Sequence, residues 1–211
     1  MGFRVRSTVW YVPNVIDYCR IGMLLVAIFQ ESTRPLLTII LIACASLMDG
    51  VDGKIARALH QESTLGATLD MSIDRCTGGI ICMLLTSVLP KYSQWFITIM
   101  MVDIFSHWLR YSHYMRACVS HKTVDAATTR LLSFYYTTRW FLALLCVCYE
   151  TALLSLLAYM TIPNRVVVDL AIVAGLLSSP FAGLKMIINV LQAVDAIHRL
   201  GVAEVEEGYA R

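Results

Sequence analysis

Residues 49–74 read DGVDGKIARALHQESTLGATLDMSID. Four carboxylates stand at fixed spacing in this stretch: Asp49, Asp52, Asp70 and Asp74. Gly53, Ala56, Arg57 and Gly66 lie between them, giving the pattern D-x2-D-G-x2-A-R-x8-G-x3-D-x3-D. The chain around it is strongly apolar. Carboxylates at membrane depth are costly and usually functional, so four of them at helical spacing point to a cation site.

The 211 residues are 58% hydrophobic, with a mean hydropathy of +0.66. Soluble domains are rarely so apolar. The apolar residues fall in several runs long enough to cross a bilayer. The fold class expected is therefore an all-α polytopic membrane protein, one domain over residues 1–211. A net charge of +2 gives no reason to expect a nucleic-acid partner. The seven cysteines show no zinc or redox spacing and read as small apolar packing residues. Met1 to Val9 lacks the apolar core and cleavage site of a signal peptide. Arg6 stands where a myristoylation signal after Gly2 wants Ser or Thr.

Six membrane helices are predicted: about Pro13–Gln30, Pro35–Leu59, Gly66 to before Pro90, Ser93–Ala117, Leu131–Tyr159 and Val166–Leu200. Arg4, Arg6, Lys54, Arg57, Arg110, Arg116, Lys122, Arg130, Arg199 and Arg211 fall on one side of this arrangement. Only Arg34, Lys91 and Arg165 fall on the other. The positive-inside rule then puts both termini, the loop between the second and third helices and the loop from Cys118 to Arg130 in the cytosol. The acidic site is expected at the cytosolic end of those two helices.

Asp49 and Asp52 share one helix face, as do Asp70 and Asp74. An antiparallel hairpin of the second and third helices brings both pairs to one depth. Four carboxylates so close cannot all stay ionised without cations. Hard divalent ions suit oxygen ligands, and magnesium or manganese suits carboxylates together with phosphates. Two ions about 3.5–4 Å apart can clamp the attacking and leaving oxygens of an in-line displacement. Gly53 and Ala56 allow close approach of a ligand, and Arg57 offers a planar fork for phosphate oxygens. Gly66 is expected to let the chain turn into the third helix. Ser63 or Thr64 is placed to offer a hydroxyl from the loop. The plain alternatives are charge pairs with Lys54, Arg57 and Arg75 at helix ends, and helix packing or capping for the two glycines.

On these residues the chain resembles the CDP-alcohol phosphotransferase family. Further segments, Val12-Pro13-Asn14, Leu69-Asp70-Met71, Asp74-Arg75-Cys76, Ser106-His107-Trp108, Ser120-His121-Lys122 and Tyr135-Tyr136-Thr137-Thr138-Arg139, are similar to its eukaryotic phosphatidylinositol-synthase branch. The resemblance implies six membrane helices, a homodimer and two Mg2+ or Mn2+ ions per site on the cytosolic side. It implies CDP-diacylglycerol and myo-inositol as substrates, with CMP released, in the membrane of the endoplasmic reticulum and also the Golgi. Carried over by position, Asp49, Asp52 and Asp70 hold one ion, and Asp49, Asp70 and Asp74 the other. Asp74 is also the general base. Gly53, Arg57 and Ser63 contact the CDP part of the donor, with Asn14 a further candidate.

For the acceptor alcohol the candidates are Asp103, His107 and Arg110 on one helix face, Tyr135 and Arg139 four apart, and His121 and Lys122 in the loop. A polyol needs several donors and acceptors around it. Arg139 is the leading candidate, as a charge inside a helix usually has a partner. The plain readings are positive-inside charges for Arg110 and Lys122, an interfacial aromatic for Tyr135 and packing for His107. Asp169 and Lys185 are read as a dimer or packing feature. Glu204, Glu206 and Glu207 are read as a solvated tail. Two other functions stay open. Another member of the family would take glycerol phosphate, serine or phosphatidylglycerol, although cations for a phosphorylated acceptor are few and scattered. An ion or proton transporter would also use an acidic cluster, but transporters tend to show repeats and broken helices at the midplane.

Overall fold

The computed structural model describes residues 8–117 and 129–206. Expectations for Arg4, Arg6, Cys118, Ser120, His121, Lys122, Glu207 and Arg211, and for the side chain of Arg116, lie outside the described residues. Among those described, every regular element is helical. The order is α1 Val12–Gln30, α2 Pro35–Ala58, α3 Thr64–Val88, a 3-10 turn Pro90–Tyr92, α4 Ser93–Ala117, α5 Arg130–Thr137, α6 Arg139–Thr161 and α7 Arg165–Glu206.

Prolines mark several boundaries. Pro13 and Pro35 sit in the first turns of α1 and α2, where the N–H is unsatisfied anyway and the fixed φ suits a helix. Pro90 follows α3 and prevents its continuation. Five helices are long and apolar enough to cross a membrane: α1, α2, α3, α6 and α7. α4 is 25 residues long, but Asp103, His107 and Arg110 lower its hydropathy and leave it outside that group.

Two elements differ from the sequence prediction. The expected fifth helix is broken at Thr138, whose φ of −100° and ψ of 87° leave the helical region. Thr137 Oγ1 donates to the carbonyl of Ser133 at 2.9 Å. α7 is longer than expected, with 42 residues, about twice what a bilayer crossing needs.

The chain forms two compact units. The first holds the residues up to Lys91 together with Leu154–Ile172. The second holds Tyr92–Leu153 and the residues from Val173. In the first unit Leu24, Ala27, Ile42, Ala45, Ile73, Ile81 and Leu85 are buried. Thr38 of α2 is buried with them and donates to the Ala27 carbonyl of α1 at 3.1 Å, tying the two helices. A smaller cluster joins Ala158, Ile162 and Ala171 to Ile39 and Val167. The second unit is centred on Leu132, Tyr135, Leu145 and Ile188. Outward faces of the spans carry large apolar groups such as Leu25, Phe29, Leu47 and Met83, as lipid contact requires. The described cysteines Cys19, Cys44, Cys76, Cys82, Cys146 and Cys148 are free thiols.

The link between α2 and α3 fixes the two halves of the acidic motif relative to each other. His60 has φ 52°, the left-handed conformation that ends many helices. Gln61 N–H donates to Ala56 O at 2.8 Å and His60 N–H to Arg57 O at 3.4 Å. This is the Schellman pairing, which satisfies the last carbonyls of α2. The Gln61 side chain then accepts from Val12 N–H at 2.8 Å, holding the link against the start of α1.

Candidate active site

The four motif carboxylates meet around one guanidinium. Arg20, from the middle of α1, is 1% exposed. Its Nη2 lies 2.9 Å from Asp49 Oδ1 and 2.7 Å from Asp74 Oδ1. Its Nη1 lies 3.1 Å from Asp52 Oδ2, 3.3 Å from Asp70 Oδ1 and 3.1 Å from Asp17 Oδ1. Asp17 is one helical turn before Arg20 and outside the motif. The planar fork of arginine lets one side chain serve acceptors on three helices at once.

The cluster has a closed side and an open side. Asp17 is 2% and Asp52 5% exposed, whereas the side chains of Asp49 and Asp70 are 38% and 43% exposed. Asp49 and Asp70 therefore form the exposed edge of the cluster. Arg75 Nη2 stands 3.7 Å from Asp74 Oδ2. Even with Arg75 counted, five carboxylates against two guanidiniums leave three negative charges unbalanced. Carboxylate oxygens of Asp49, Asp70 and Asp74 lie within 4.8 Å of one another, as do those of Asp17, Asp52 and Asp70. All these donors are hard oxygens, the set preferred by magnesium, manganese and calcium. The residues therefore fit divalent ions, in charge and in chemistry.

The neighbouring motif residues occupy defined places. A Cβ on Gly53 would stand 3.5 Å from Arg57 Nη1, so the Arg57 guanidinium folds back over Gly53, one turn away. Ser63 is the N-cap of α3, and its Oγ accepts from Gly66 N–H at 3.0 Å. Gly66 is inside α3 rather than at the turn into it, which corrects its expected role. What it provides is room: a Cβ there would lie 2.8 Å from Asn14 Oδ1 and 3.2 Å from Ser63 Oγ. Asn14 is fully buried, and its Nδ2 donates to Thr8 O at 2.8 Å. Its Oδ1 has no hydrogen-bond partner, a costly state for a buried acceptor.

The acceptor candidates that are described fall in the second unit. Asn189 Nδ2 donates to Asp103 Oδ1 at 2.9 Å, and His107 Nδ1 lies 2.8 Å from Asp103 O. Lys185 Nζ donates to Tyr135 Oη at 2.8 Å. Tyr136 Oη pairs with Gln192 Oε1, and Gln192 Nε2 donates to Ser106 O at 3.1 Å. Arg110 stacks 3.5 Å from the Tyr136 ring centroid. It is buried inside the unit and is not a loop charge, so it leaves the positive-inside comparison. Lys185 is a buried packing group, while Asp169 is exposed. Arg139 is exposed at the first position of α6. The break at Thr138 makes it a helix-terminal charge rather than one inside a helix.

Arg20, Asp17, Asn189 and Gln192 are not singled out by the sequence reading, and Lys185 enters it only as a dimer or packing feature. Arg20 and Asp17 form the centre of the acidic cluster. Lys185, Asn189 and Gln192 form one face of α7. Both carried a signal: charges inside an apolar span, and polar residues at i, i+4 and i+7.

The chain matches the sequence profile described as CDP-alcohol phosphatidyltransferase over residues 10–197. It is 30% identical to the curated CDP-diacylglycerol–inositol 3-phosphatidyltransferase of Schizosaccharomyces pombe, over 94% of this chain and 92% of that one. The proteins of the same name from Homo sapiens and Drosophila melanogaster are each 32% identical, over 93% and 95% of this chain and 94% and 89% of theirs. No solved structure matches it. A match of this extent, on a chain whose motif carboxylates converge on one cluster, makes the protein a member of the CDP-alcohol phosphatidyltransferase family.

Proposed function

We propose that the protein transfers the phosphatidyl group from CDP-diacylglycerol to myo-inositol, giving phosphatidylinositol and CMP. The observation that carries the chemistry is the meeting of Asp49, Asp52, Asp70 and Asp74 from α2 and α3 around one point. The choice of inositol is supported by the names of the similar proteins in yeast, human and fly.

The four aspartates would hold two divalent ions, magnesium or manganese, which supply positive charge to the diphosphate of the donor. Asp74 takes the proton from an inositol hydroxyl. Its Oδ1 is engaged by Arg20 and its Oδ2 faces Arg75 at 3.7 Å, so Oδ2 is the basic atom. The inositol oxygen bonds to the phosphorus that carries diacylglycerol. The bond from that phosphorus to the bridging oxygen breaks, and the oxygen leaves with CMP. Arg57, held over Gly53, donates to phosphate oxygens of the CDP part. Ser63, as helix cap, presents its hydroxyl at the start of α3, where the N-terminal dipole favours an anion.

Purified protein in detergent–lipid micelles, given CDP-diacylglycerol and manganese, should release CMP with myo-inositol and form phosphatidylinositol. Release instead with glycerol phosphate, serine or phosphatidylglycerol would keep the chemistry and reject inositol. No release with any acceptor from folded protein would reject the transferase reading.

The six-span topology belongs to the same proposal, with α4 as the sixth crossing. Its polar groups Asp103, Ser106 and Arg110 are buried, while Trp95, Ile97, Met101, Ile104, Phe105 and Trp108 are exposed. A helix wet only on its protein side can face lipid on the other. Single cysteines at Lys91 and Thr129 should then be labelled from opposite sides of sealed vesicles. Labelling from one side rejects the crossing. A cytosolic site, a homodimer and residence in the endoplasmic reticulum and Golgi follow from the family resemblance and the charge bias. Cross-linking in membranes and organelle fractionation test the last two.

A further inference from the structure

We propose that Arg20 is a positioning residue that prepares the four motif aspartates to capture metal. The inference rests on the reading that these aspartates hold divalent ions. Arg20 takes one oxygen from each: Asp49 Oδ1, Asp52 Oδ2, Asp70 Oδ1 and Asp74 Oδ1. The second oxygen of every motif carboxylate is left outside these contacts. A carboxylate pinned by one oxygen has lost most of its rotational freedom, so its other oxygen is held in place before an ion arrives. Partners behind metal ligands orient them in this way, and losing one typically costs about 10- to 100-fold in metal affinity.

The device needs arginine. Five acceptors on three helices are met by two terminal nitrogens in one plane. Lysine is a single point charge with three donors and cannot reproduce that fork. Asp17 acts through Arg20. It lies three residues before it, is 2% exposed and holds Nη1 at 3.1 Å. Burial of Arg20 at 1% shows that the guanidinium is part of the helix packing and not a surface ion drawn in from solvent.

A second role for Arg20 makes the opposite prediction. If it were only a counter-ion filling the site, removing its charge would make the cluster more negative and draw metal in more tightly. The test is manganese binding to the full-length protein in micelles, read by electron paramagnetic resonance, with and without CMP. Arg20→Lys keeps the charge and loses the fork. It should raise the Mn2+ dissociation constant by about 10- to 100-fold. Arg20→Gln should raise it as well. Asp17→Glu also conserves charge and displaces the anchor by one methylene; it should weaken Mn2+ by a smaller factor. Turnover by Arg20→Lys should recover with excess manganese at an unchanged melting temperature, which a merely structural defect would not allow. Unchanged or tighter Mn2+ in folded Arg20→Lys overturns the proposal. If that variant does not fold, unchanged or tighter binding in Asp17→Glu does so. Wild-type protein that binds no Mn2+ in either condition overturns the metal reading, and this inference with it.

Discussion

Asp74→Asn is expected to slow CMP release by about 100- to 10,000-fold, the range for loss of a general base, while sparing donor binding more than Asp49→Asn does. Asparagine has the shape of aspartate, and its carbonyl oxygen can still accept from Arg20 Nη2, now at 2.7 Å from Asp74 Oδ1. What disappears is the basic second oxygen. Asp49 sits on the open side of the cluster, 38% exposed, where a diphosphate and its ions would be met. Its loss should therefore appear as weaker donor binding in addition to slower turnover. Both residues belong to one carboxylate group, so some weakening is expected from each, and the difference between them is the test. Single-turnover CMP release and equilibrium binding of CDP-diacylglycerol in micelles separate the two effects. Equal loss of donor binding in both variants would sink the separate role for Asp74.

Chelation should be at least as severe and fully reversible. Ions at a transferring phosphoryl group contribute several kcal/mol, and at about 1.36 kcal/mol per tenfold their removal predicts a loss of roughly 1,000-fold or more. Turnover should fall to background in EDTA and return with magnesium or manganese. The first unit should stay folded meanwhile, since the Arg20 guanidinium itself bridges all four motif aspartates. Circular dichroism should show unchanged helix content. CMP release that continues when elemental analysis finds less than one ion per chain would reject metal dependence.

The acidic motif was legible because its spacing is unusual in an apolar chain. Helical period alone put each aspartate pair on one face, and the structure brings both pairs together. Arg20 was not legible from the motif, because it stands 29 residues before Asp49 and nothing in the spacing of the aspartates asks for it. The question that would have found it is what an arginine does inside α1. The break at Thr138 lay beyond periodicity, since an apolar pattern runs through it. The Thr137 hydroxyl bonds a backbone carbonyl there, but Thr77 and Thr86 do the same inside the unbroken α3, so that bond is not the cause. Gly66 was singled out for backbone freedom, yet its requirement comes from Asn14 on another helix. Lys185 stands out as a charge in an apolar helix, but Asn189 and Gln192 on the same face are uncharged and do not. Polar groups are easy to overlook when the mean hydropathy of a segment decides the assignment.

The pairing of Arg20 with Asp17 also bears on how the chain enters the membrane during synthesis. Asp52 follows Arg20 by 32 residues and Asp74 by 54. At about 5–20 residues per second, the nascent helix waits roughly 3–11 s for the last of its partners to be made. A lone guanidinium would be a heavy burden on an apolar span during that interval. Asp17, only three residues away, is already there. It neutralises the charge within one turn and can hand the remaining donors to α2 and α3 as each emerges. The first aspartate of the cluster is thus placed to meet the guanidinium before any of the motif aspartates has been made.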